Sequence, residues 1–181
     1  MSYGCSFFHM HRDGLYDEYK SHEISNAQEK EWKIEFRSIA LAKFEDNPTE
    51  EVHSCYRYLD TIDFDTEEDC IDSIIDSIKR RKGSMDSFSK LLVSEQLCDT
   101  LQSNKIDRVR LKKIKSLSQS LLHDVIKEPA NIDAYYKNLG YLRDKLGEPD
   151  ITDRASKALE QINQLRTSRW SQFLSRSALQ S

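Results

Sequence analysis

The sequence predicts an all-α fold, a single-domain bundle of about seven helices packed as antiparallel or orthogonal hairpins. Three observations carry this. Leu (18) and Ile (14) far outnumber Val (4), and leucine suits helices where strands favour valine. Gly (5) and Pro (3) are too few for the turns of a β-rich chain of 181 residues. Most directly, Ile71, Ile74, Ile75 and Ile78 stand at i, i+3, i+4 and i+7, one stripe of an α-helix.

A chain of this length ordinarily forms one domain and buries a core without staples. Apolar residues make up 38% and charged residues 32%. The net charge of −4 argues against general coating of nucleic acid. No apolar run approaches the ~20 residues of a membrane helix. With no charged-then-apolar leader at the N-terminus, a cytoplasmic location without membrane contact is expected. Cys5, Cys55, Cys70 and Cys98 form no C-x-x-C pair and read as thiols. Cys5, His9, His11 and His22 match no common zinc spacing, so neither metal nor cofactor is expected.

Residues 1–24 show no helical period and are expected to form an irregular arm, with a helical domain over 25–175 and a frayed tail over 176–181. The first helix covers 26–44, its stripe formed by Trp32, Phe36, Ile39, Ala40 and Phe44. Asn47-Pro48 stops it and starts a second helix, lined by Val52, Cys55, Tyr56 and Leu59. The third runs from Asp65 to Gly83. Asp65 and Glu68 form a capping box there, and Gly83 supplies a left-handed cap. Its acids lie at the positive end of the helix dipole and Lys79, Arg80, Arg81 and Lys82 at the negative end.

Ser84 is placed to cap a fourth helix through Leu101, interrupted near Ser94. Ile106 to Ile126 is the longest uninterrupted pattern and ends at Glu128-Pro129. A helix capped by Asn131 is expected to continue to Leu146 and stop at Gly147, and Glu148-Pro149-Asp150 reads as a turn. A last helix begins at Ile151, with a break at Thr167-Ser168. The hairpin Ala134-Tyr135-Tyr136…Leu139-Gly140…Ala155…Ala158-Leu159 resembles one tetratricopeptide unit. Arg143 replaces the large residue of that motif, and no second copy exists, so it implies no repeat architecture.

Two charge clusters stand out. Between Asp60 and Asp76 lie eight carboxylates and no base, and Glu68, Asp72 and Asp76 share one helix face. Like charges at that spacing oppose one another. Asp60, Asp63, Glu68, Asp72 and Asp76 are therefore the candidate face for a protein partner with a basic surface, as in an inhibitor, immunity or accessory-regulator module. A solvated face that merely feeds the helix dipole is the plainer reading. The second cluster, Lys105, Arg108, Arg110, Lys112, Lys113 and Lys115, gives an alternative: Lys105, Arg108, Arg110, Lys112 and Lys115 lying along a nucleic-acid backbone. The two clusters are also placed to face each other, within the fold or across a homo-oligomer.

Catalysis has little to stand on. There is no G-x-S-x-G, glycine-rich phosphate loop or Walker lysine. Asp63-x-Asp65-x-Glu67 opens like a calcium loop, but Glu68 and Ile74 occupy its glycine and bidentate-glutamate positions. Glu50-Glu51 and Glu67-Glu68-Asp69 with Asp72 resemble the acidic helices of all-α nucleoside-triphosphate pyrophosphatases. That resemblance implies a magnesium-dependent hydrolase as a second alternative, although the paired Glu-x-x-Glu spacing is absent. The expectation is a non-enzymatic binding protein.

Overall fold

A computed structural model describes residues 25–64, 66–103, 106–140, 142 and 146–177, with backbone alone for 103 and 165–177. The expected arm over 1–24 lies outside the described residues. Those described are all-α, with helices α1 (Asn26–Asp46), α2 (Val52–Leu59), α3 (Glu68–Arg81), α4 (Ser87–Ser103), α5 (Arg108–Lys127), α6 (Ala134–Lys137) and α7 (Glu148–Ser177), and no strand among them. No described helix is long and apolar enough to cross a membrane.

Contacts between helices fix their directions. Arg37 reaches Glu67 and Cys70, while Arg80 and Arg81 reach Glu45 and Asp46, so α1 and α3 run the same way. Arg110 meets Glu68 and Lys82 meets Ser120, which sets α5 parallel to α3. Ser87, at the start of α4, donates to the carbonyl of Glu128, just past the end of α5; α4 and α5 are antiparallel. Arg154 on Glu95 and Cys98 against Ala158 align α7 with α4. Helices α4, α5 and α7 pack together, α3 lies on α5, and the α1–α2 hairpin joins them through α3 and α4.

The isoleucine stripe behaves as its spacing requires. Ile71, Ile74, Ile75 and Ile78 are buried with Leu91, Leu97, Leu121, Leu122, Ile151 and Ile162 in one core, each aliphatic contributing about 1.5–3 kcal/mol on burial. Cys55 and Cys98 are free thiols within it. Loss of water pushes Cys98 up to about 11 and raises Cys55 as well, so both serve as small apolar fillers.

Several expectations are corrected. In α1 the buried face is Arg37, Ala40 and Phe44, while Trp32 and Ile39 are each 50% exposed. Arg37 turns the helix: its side chain is 4% exposed, and its guanidinium makes a fork to both Glu67 oxygens at 2.7 and 2.8 Å. Helix α3 begins later than expected, at Glu68. Glu67 occupies the N-cap without capping through its side chain, and it takes the backbone N–H of Asp63 instead. Asp65 lies outside the described residues. Gly83 sits in a 3-10 turn, Lys82–Ser84, without left-handed backbone.

Helix α4 is capped by Asp86 rather than Ser84, its Oδ1 taking the N–H of Ser89 at 2.8 Å, and it passes Ser94 unbroken. The helix expected through Leu146 shrinks to α6, capped by Asp133. A buried knot explains the stop: the Tyr136 hydroxyl donates to the carbonyl of Thr49 at 2.6 Å and accepts from Ser89, while Asp86 Oδ2 takes the N–H of Asp133. Beyond that knot Asn138 and Gly140 are weak helix formers. Helix α7 starts earlier, at Glu148, with Pro149 in its first turn where proline is tolerated. It continues through Thr167-Ser168 to Ser177.

Candidate functional site

The two charge clusters meet along the parallel pair α3–α5. Helix α3 is acidic at its start and basic at its end, and α5 is basic over its first two turns. Parallel packing therefore sets α5's bases against α3's acids. Asp107 caps α5, accepting from the N–H groups of Val109 and Arg110. Arg110 then reaches across, donating to Glu68 at 2.6 Å, to Asp72 at 2.9 Å and back to Asp107 at 3.1 Å. Lys113, one turn on, bonds the other oxygen of Asp72 at 2.7 Å. Lys113 and Arg110 together hold the Asp72 carboxyl below the usual carboxylate range. The Nε of Arg110 is shut from water without a partner, a cost that its three carboxylate contacts offset.

The acidic face expected from the sequence thus divides. Asp72 is held twice and is 29% exposed, whereas Glu68 and Asp76 keep 57% and 59% of their side chains in water. Asp76 bonds Lys79 on its own helix at 3.1 Å. Asp63 forms a local turn, accepting from the Thr66 hydroxyl. Asp60 lies near the Gln96 amide, and partial loss of water raises its carboxyl. Asp69, named in the pyrophosphatase-like set but not in the docking face, is exposed at the first turn of α3. The expectation of uncompensated like charge on one face is corrected for Glu68 and Asp72: bases 38 to 42 residues away in sequence cover them.

The basic set divides too. Arg110 is turned inward to the acids and withdrawn from any outer phosphate. Arg108 and Lys112 are exposed and Lys115 half-buried; Lys105 lies outside the described residues. Three acids of the pyrophosphatase-like set are engaged as well, Glu67 by Arg37, Glu68 by Arg110 and Asp72 by Arg110 and Lys113. Among the described residues no group of three or more His, Cys, Asp or Glu is arranged to hold a metal ion. What sequence reasoning missed is the Arg37–Glu67 fork; an arginine inside an otherwise apolar helical stripe was its one signal. Compared with models of protein families, with curated proteins and with solved structures, the chain matches none.

Proposed function

We propose that this chain is a non-enzymatic protein-binding module of inhibitor or regulator type, presenting the acidic end of the α3–α5 seam to a basic partner. The observation that carries the reading is the pair of wet carboxylates Glu68 and Asp76, 57% and 59% exposed. Exposed Asp69 lies between them in sequence. Asp60 and Asp69 meet no guanidinium or ammonium among the described residues. Such a face steers a cationic surface into contact and sets its orientation. Arg110 and Lys113 tie α3 to α5 through Asp72 beside these exposed acids.

The test is capture from the native host by the full chain, with and without nuclease, read by mass spectrometry. Asp69→Lys with Asp76→Lys should abolish capture of a basic protein and leave thermal unfolding within about 0.5 kcal/mol of the parent, as for other surface changes. Undiminished capture rejects the reading. Capture that vanishes with nuclease favours the nucleic-acid alternative, through Arg108, Lys112 and Lys115 with Lys105.

A further inference from the structure

Past Asp76 the seam changes sign. Where α3 ends against the middle of α5, a groove of about 470 Å³ opens between Lys79, Lys82, Lys112 and Lys113, with Ser116 and Ser120 along its edge. Leu117, buried, forms an apolar part of its lining. Four lysine side chains are among its lining residues, and no Asp or Glu is.

The lysines are only partly engaged. Lys79 bonds Asp76 at 3.1 Å, Lys113 bonds Asp72 at 2.7 Å, and Lys82 bonds Asp124 at 3.0 Å and the Ser120 hydroxyl at 2.6 Å. An ammonium has three donors, so each retains capacity for a ligand. Lys112 is exposed and meets no carboxylate among the described residues. Ser120 accepts from Lys82, which leaves its own proton to donate. Asp76, Asp72 and Asp124 offset part of the repulsion among these lysines, and an anion in the groove would offset what Lys112 adds.

The ligand class follows from this lining. Lysine is a compact charge on a flexible stem, suited to an anion of several charges without a fixed planar shape. The volume lies within the range of about 300–1,000 Å³ typical of small-molecule sites. No aromatic ring lines the groove, so nothing there stacks a nucleobase. We propose that this groove binds a small oligophosphate, a chain of three or more phosphates held by Lys79, Lys82, Lys112 and Lys113 with Ser116 and Ser120 donating to its oxygens. The proposal rests on other residues than the acidic docking face, which adjoins the groove where Asp76 pairs with Lys79.

Inorganic tripolyphosphate is the probe, titrated calorimetrically into the full chain at low salt. Saturable one-to-one binding is expected, weakening as salt rises. Lys79→Gln and Lys112→Gln should each weaken it about tenfold, a tenfold change being about 1.4 kcal/mol, and the double variant should abolish it. Lys157→Gln on α7 should leave it unchanged. Should either glutamine variant lose helicity by circular dichroism, Lys→Met at the same position, which keeps the apolar stem, repeats the measurement. Absence of heat at low salt, or full affinity in the double variant, overturns the proposal. So does a short DNA duplex that binds through these lysines while tripolyphosphate does not, since the groove would then serve a polymer backbone.

Discussion

The two ends of the α3–α5 seam are built by the same pair of helices and reach opposite outcomes. At the acidic end Arg110 is 15% exposed and sits among Glu68, Asp72 and Asp107. At the basic end four lysines surround an open groove. The difference is one of direction. Helix α3 carries its acids first and its bases last, in keeping with its dipole, and α5 carries its bases first. Parallel neighbours then match charge at the start, while at the other end α5 meets Lys82 with Asp124 alone and Lys79 pairs within its own helix. An antiparallel pairing would have set α5's bases against Lys79–Lys82, like against like. Closing one end of the seam is what leaves the other open.

The most damaging way to break the comparison removes what both ends rest on. Ile114→Ala, at a site 1% exposed in the seam, should cost about 3–4 kcal/mol in urea unfolding through lost burial and a cavity. Glu67→Gln comes next. It strands the buried Arg37 guanidinium with half its fork, and about 2–3 kcal/mol is the expected loss, below the range for fully buried pairs because Glu67 is 23% exposed.

Acid should separate the ends without mutation. Hydrogen bonds from Arg37 hold Glu67 below the ordinary range, and Lys113 does the same for Asp72. A depressed folded-state value means stability that is present above the unfolded carboxylate value of about 4 and lost as pH falls through the folded value. Thermal midpoints should hold from neutral pH to about 5 and then fall, and Glu67→Gln should flatten that fall. A midpoint that declines equally in parent and variant removes Glu67 from the account.

Smaller effects sharpen the contrast. A double-mutant cycle on Asp72 and Lys113 should give a coupling of about 0.5–1 kcal/mol, reduced by salt because Lys113 is 42% exposed. The same cycle on Asp76 and Lys79, both about half in water, should give about 0.3 kcal/mol or less. Equal couplings at the two sites would erase the distinction between a matched and an open end.

The sequence made some of this legible and hid the rest for identifiable reasons. The stripe from Ile71 to Ile78 could be read because four branched aliphatics at helical spacing have no other place than a core. The acidic and basic runs were visible as composition, and their facing each other was one of the readings open. In α1 the period misled: Trp32 and Ile39 looked like core, and Arg37 was not among the residues read as core. A guanidinium enters a core when a carboxylate meets it there, and Glu67 lies 30 residues on. Helix α6 failed similarly, since the hydroxyl of Tyr136 ends it by bonding Thr49, 87 residues away.

Local order in the chain set where helices form, which faces are apolar and how charge runs along α3 and α5, because periodicity and dipole pairing act within a few turns. Tertiary packing decided which acids are neutralised, which lysines stand together and which way α1 turns. Those outcomes depend on partners 30 to 87 residues apart, and only the relative direction of packed helices brings such partners face to face.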